Sequence, residues 1–127
     1  MNRITAILLC LVAACAAGGA MAEQRVAEFT GNESTVTRVF EVEAPWIIDW
    51  GVASEYRSGT SIEVWLINAD DESNLGYVVT TTGTGDGVKL FEEGGHFYLR
   101  VNSALVDWRL TVKTLTPDEA RQYTPRD

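Results

Sequence analysis

The chain has 127 residues, 18 acidic against 10 basic, for a net charge of −8. That length suits one domain, and the charge has the wrong sign for nucleic acid or an anionic membrane surface. It is compatible with a cationic partner or with solubility alone, because the acidic residues are spread along the whole sequence.

Residues 1–22 read as an export segment. Arg3 supplies the positive start, residues 4–17 are apolar and small, and Ala20-Met21-Ala22 offers a small-x-small cleavage site before Glu23. The apolar run is short for a bilayer span, so no transmembrane segment is expected in the mature chain. A second reading takes Val12-Ala13-Ala14-Cys15, which resembles a bacterial lipobox and would make Cys15 a lipidated N-terminus. Both cysteines, Cys10 and Cys15, fall within this segment, so a domain starting at Glu23 has neither a disulfide nor a thiolate metal site. Its stability must come from a hydrophobic core. Export without disulfides leans bacterial and points to the periplasm or the cell exterior, with a membrane-anchored lipoprotein as the alternative. Losing Arg3 with the segment leaves nine basic against eighteen acidic residues, a net −9.

The domain then reads as a series of short strands. Val26-Ala27-Glu28-Phe29 is a short apolar pattern ending in a Gly-Asn-Glu-Ser turn. Residues 35–43 alternate, with Val36, Phe40 and Val42 expected on one face and a bulge near Arg38 and Val39. Pro45 suits the start of the next run, where Trp46, Ile48 and Trp50 alternate with Asp49 and Gly51. Residues 60–68 carry Ile62, Val64 and Leu66 on one face and Glu63, Trp65 and Ile67 on the other. With apolar bulk on both sides, this strand is either covered twice or exposes Trp65.

Residues 68–74 form a polar loop and residues 75–82 a strand. The glycine-rich turn 83–87 leads to a short strand at 88–91. In residues 94–114, Phe97, Leu99 and Val101 alternate with His96, Tyr98, Arg100 and Asn102. Trp108, Leu110 and Val112 alternate with Arg109, Thr111 and Lys113. The five-residue break between these runs has hairpin length, which predicts an adjacent antiparallel pair. Residues 116–127 lose the alternation and read as a polar tail, either frayed or starting with one capped helical turn at Thr116-Pro117-Asp118-Glu119. The expected fold is all-β: a two-sheet antiparallel sandwich or jelly roll of about eight short strands, as one domain over residues 23–115.

Taken together, Phe29-Thr30-Gly31, Pro45-Trp46-x-Ile48-x-Trp50, Gly83-x-Gly85-x-Gly87, Phe97-Tyr98-Leu99-x-Val101-Asn102-Ser103 and Trp108-x-Leu110-x-Val112 resemble a group of small exported bacterial β-sandwich modules. The chain is similar, on architecture alone, to pre-peptidase C-terminal domains, which are accessory β-sandwiches outside the cell. The resemblance implies fold and export, and it assigns no functional residue.

Candidate sites are few. His96, the single histidine, has no nucleophile or orienting group assigned to it and reads as a surface residue at a strand start. One histidine without cysteines gives no zinc set, so no metal and no cofactor are expected. Asp70-Asp71-Glu72 offers oxygens but lacks calcium-loop spacing and reads as a solvated loop, and Asp86 reads as a turn residue. Asn32-Glu33-Ser34 fits a glycosylation acceptor, which has meaning only in a eukaryotic secretory route.

Trp46, Trp50 and Trp108 are in phase with apolar faces and read as core, each indole N–H needing a carbonyl. Trp65 is out of phase. Exposed beside Tyr77 or Tyr98, and with Arg100 on the Tyr98 face, it would form an aromatic platform. The alternative places Trp65 under a loop or the tail. The expected function is a non-enzymatic exported module that recognises a protein or envelope component through a sheet face. A carbohydrate-binding module for an envelope glycan and an inhibitor of a cationic envelope hydrolase are the two other readings.

Overall fold

The computed structural model describes residues 24–123. The expected export segment 1–22, with Cys15, and the last four residues of the tail lie outside the described residues. Nine strands follow in order: β1 (Gln24–Gly31), β2 (Thr35–Val36), β3 (Phe40–Val42), β4 (Trp46–Ala53), β5 (Ser61–Asn68), β6 (Asn74–Thr81), β7 (Gly85–Phe91), β8 (Gly95–Ala104) and β9 (Asp107–Thr114). A helical turn, α1 (Pro117–Ala120), comes last. Sheet I has the order β1-β9-β4-β7, and sheet II has β2-β8-β5-β6 with β3 also on β8. All strand pairs are antiparallel. The expected two-sheet sandwich is therefore present, with nine strands because residues 35–43 split in two.

The core lies between the sheets, where alternate residues meet. Ile62, Val64, Leu66, Leu99 and Val101 face in from sheet II, and Trp46, Ile48, Leu110 and Val112 from sheet I, each at most 3% exposed. Burying each such side chain contributes about 1.5–3 kcal/mol before conformational entropy is counted. Trp46 is the hub: its ring stacks on Phe91 at 4.2 Å and on Phe97 at 5.3 Å and meets Phe40 edge-on at 5.8 Å. Its Nε1 donates to the Glu93 carbonyl at 2.8 Å, and Trp108 Nε1 donates to the Glu33 carbonyl at 3.2 Å, so both buried indoles find the backbone acceptor they need. Trp50 is only half-buried, packed at the margin of the core. It sits over Gly87, where an added Cβ would lie 2.7 Å from the ring.

Two expectations are corrected. The runs in 94–114 do not form a hairpin: β8 joins sheet II and β9 joins sheet I, so the short connection passes from one layer to the other. Ala104-Leu105-Val106 lacks the Asn-Gly chemistry of a tight hairpin. Val106, 3% exposed, enters the core, which a solvent-facing hairpin turn would not allow. Leu105 takes φ 59°, and the Ser54 hydroxyl donates to its carbonyl.

Secondly, Val36 does not share a face with Phe40 and Val42. It pairs with the outward-facing Arg100 and is 56% exposed, while Phe40 pairs with the buried Phe97. Residues 37–39 interrupt the ladder, with Thr37 Oγ1 accepting from Leu99 N–H at 3.0 Å, and the parity of the strand changes across the gap.

Of the two alternatives for the tail, the described residues take the capped helical turn. Thr116 accepts from Glu119 N–H at 3.1 Å while Glu119 accepts from Thr116 N–H at 2.7 Å, a capping box with Pro117 in the first turn. Leu115 N–H donates to Pro45 O at 3.0 Å, and Pro117 and Ala120 line a cleft with Pro45 and Leu90 on the outer side of sheet I. On the same side of the sheet Ile47, an outward position between Leu90 and Lys113, is 1% exposed.

Candidate functional site

The outer face of sheet II gathers all four residues singled out in the sequence. On β5, alternation turns Glu63, Trp65 and Ile67 outward while Ile62, Val64 and Leu66 fill the core. On β8, the same rule turns His96, Tyr98, Arg100 and Asn102 outward. Trp65 lies opposite Arg100, and Ile67 lies opposite Tyr98, so Tyr98 is the diagonal neighbour of Trp65.

β6 completes the group through a register shift beside Val64 and Trp65. The shift lets two consecutive residues, Val78 and Val79, both enter the core at 6% and 7% exposure while Tyr77 turns out opposite Trp65. The Trp65 and Tyr77 rings then lie 5.2 Å apart, tilted by 30°. Trp65 is half-buried, neither fully exposed nor under the tail, which packs on the other sheet.

A straight row therefore crosses the sheet: Tyr77 on β6, Trp65 on β5, Arg100 on β8 and Val36 on β2. At the ordinary strand spacing it spans about 15 Å. Val36 is the member missed in the sequence, and the one available signal was the register break at Arg38 and Val39. Arg100 is exposed, and its guanidinium has no hydrogen bond or ion pair among the described residues. Tyr98 is anchored, its hydroxyl donating to Glu72 Oε1 at 3.2 Å.

The acidic loop 70–72 does not converge on a common point. Asp71 Oδ1 accepts from Ser73 N–H at 2.9 Å and from Ser73 Oγ at 2.7 Å, bonds that hold its carboxyl below the usual carboxylate range. Glu72 serves Tyr98, and Asp70 approaches His96 Nδ1 at 3.8 Å. On its other side, His96 Nε2 lies 3.5 Å from Glu41. His96 is thus a surface residue between two carboxylates, its side chain 48% exposed, with no hydroxyl bonded to it among the described residues. No group of three or more His, Cys, Asp or Glu placed to hold a metal occurs among the described residues. Asp86 lies in β7, opposite Gly51 on the outer face of sheet I.

That second face differs in kind. Glu28, Thr111 and Asp49 form a cross-strand row, with Thr111 6% exposed, its hydroxyl 3.4 Å from Glu28 Oε2, and Lys113 3.6 Å from Asp49. Arg109 reaches across the side-chain gap left by Gly51, within 3.0 Å of where a Cβ would stand. A shallow cleft of about 710 Å³ opens beside it, edged by Thr30, Asn32, Asp86 and Asp107. No helix among the described residues is long and apolar enough to cross a membrane. No protein-family model matches the chain, and a search of curated proteins found no match.

Proposed function

We propose that the chain is an exported binding module that recognises a protein partner through the outer face of sheet II. The observation that carries this is the Tyr77–Trp65–Arg100–Val36 row, which sets two aromatic rings, a free guanidinium and an exposed valine side by side on one rigid sheet. Trp, Tyr and Arg are the residue types that dominate binding energy at protein interfaces, and a sheet presents them at little entropic cost. His96 lies between two carboxylates, with no hydroxyl bonded to it among the described residues. Export rests on the N-terminal sequence pattern and the cysteine-free domain.

The test is recovery of partners from an envelope fraction by the wild type, by Tyr77→Ala and by Arg100→Glu, with Val88→Ala on the other sheet as control. Loss of the same partner with both sheet II variants, and its retention with the control, is the expected result. Equal recovery by all four proteins would end the proposal. A glycan ligand is the second reading, favoured by the half-exposed indole as a stacking surface. Affinity electrophoresis on peptidoglycan and common polysaccharides separates it, since a protein-specific surface gives no retardation.

A further inference from the structure

A separate feature lies at one end of the sandwich, where the seam between the sheets opens along the unpaired edges of β6 and β7. Higher up, the seam is closed by Lys89, which stands in β7 opposite the inward-facing Ile48 and whose Nζ donates to Tyr77 O on β6 at 2.8 Å. An inward-turned charge on an edge strand also discourages pairing at that point. Lower down, the closure stops. A slot of about 280 Å³ remains, floored by Leu66, Phe91 and Phe97, walled by Leu75 and rimmed by Glu92 and Glu93.

The slot is built rather than collapsed. Phe91 and Phe97 are both stacked on Trp46, so the floor cannot fold inward. The rim turn is held by the Trp46 Nε1 bond to Glu93 O at 2.8 Å. Gly94 packs so closely that an added Cβ would lie 2.6 Å from Val42 O. Leu75 is 51% exposed at the mouth, and both glutamates are exposed without an ion-pair partner among the described residues.

We infer that this slot receives an extended, basic segment of a partner protein, inserting an apolar side chain or the stem of a lysine or arginine between the sheets. The floor takes hydrocarbon, and the rim takes the ammonium or guanidinium. The free edge of β7 lies alongside and offers main-chain partners to an extended segment. Charge complementarity commits the occupant: the rim is acidic, the chain carries −8, Lys89 in the seam is engaged by Tyr77 O, and Arg121, which shares a neighbouring cleft with Glu92, is paired with Asp118. An anionic acyl lipid would meet the same floor but be repelled at the rim.

The test is amide-shift mapping of the protein titrated to millimolar concentration with a blocked peptide of alternating lysine and leucine, its glutamate–leucine counterpart, and dodecanoate. The basic peptide is expected to shift Leu66, Leu75, Phe91 and Phe97. It should weaken about three- to tenfold in the Glu92→Gln, Glu93→Gln double variant, the loss of two exposed charge pairs. Leu75→Lys, which places a cation at the mouth, should abolish the shifts, while Tyr77→Ala on the sheet II face should leave them unchanged, which separates this slot from the surface proposed above. Equal binding of the acidic peptide or of dodecanoate, shifts centred on residues 70–72, or no shifts at all would overturn the inference.

Discussion

The two outer faces of this sandwich share strand geometry and differ in how their side chains are satisfied. Along one part of sheet I, charged groups answer one another: Arg25 with Glu28 at 2.9 Å, Lys113 with Asp49 at 3.6 Å, Thr111 beside Glu28, whereas Arg109, over Gly51, has no ion pair among the described residues and Val88 is exposed. One end of that face is covered by the capped turn α1. On sheet II, the anchoring bonds lie at the margin, at Tyr98 and His96, and the centre holds a ring pair, an unpaired arginine and an exposed valine. A face whose polar groups are already bonded within the molecule gains little from a partner, whereas a face with unspent aromatic area and an unpaired guanidinium gains more. The proposed interaction through sheet II rests on this contrast.

The sharpest way to break the comparison is at Ile47 and Ile67, outward positions that are each 1% exposed. Replacing either with alanine should cost about 2–5 kcal/mol in denaturant unfolding, the range of a buried isoleucine. A cost below about 0.5 kcal/mol at Ile67 would mean that sheet II is open to solvent beside Tyr98. The next effect is at the cap. Thr116→Ala should lose about 1 kcal/mol by the same measurement, with faster amide exchange confined to Ile47, Leu115 and their neighbours on sheet I.

A third test is pH dependence at the loop beside Tyr98. Asp71 has its carboxyl lowered from 3.8 by the Ser73 bonds, so its contribution is present above that unfolded value and lost as pH falls through the lower folded one. Asp71→Asn should therefore lower stability near neutrality, and the gap to wild type should close in acid. The smallest effect should come from Tyr77→Ala, 44% exposed, whose stability change should stay within about 0.5 kcal/mol even as partner recovery falls. A large stability loss there would recast Tyr77 as structural.

The fold was legible in the sequence wherever period-two alternation ran unbroken, as in β5, β8 and β9. What local pattern could not carry was the assignment of strands to layers. A short loop serves a hairpin and a layer crossing equally well, and only the apolar Leu105-Val106 in the break between β8 and β9 hinted at a crossing. Parity was the second gap. The interruption at residues 37–39 moved Val36 to the outer face, and the shift in β6 placed Tyr77 opposite Trp65. Of the site, Trp65 was readable because it is out of phase with Ile62, Val64 and Leu66. Tyr77, Tyr98 and Arg100 could be named as candidates for its company, but not which of them adjoin it, because they arrive from strands 12 to 35 residues away through registers that only tertiary pairing sets.

The most direct test of the central claim is hydroxyl-radical footprinting of the protein alone and mixed with the envelope fraction used for partner recovery. Oxidation of Trp65 and Tyr77 should fall in the envelope fraction, while Tyr56, 58% exposed and away from the row, should react equally in both. Unchanged oxidation at Trp65 and Tyr77, or protection at Tyr56 alone, would contradict an interaction through the outer face of sheet II.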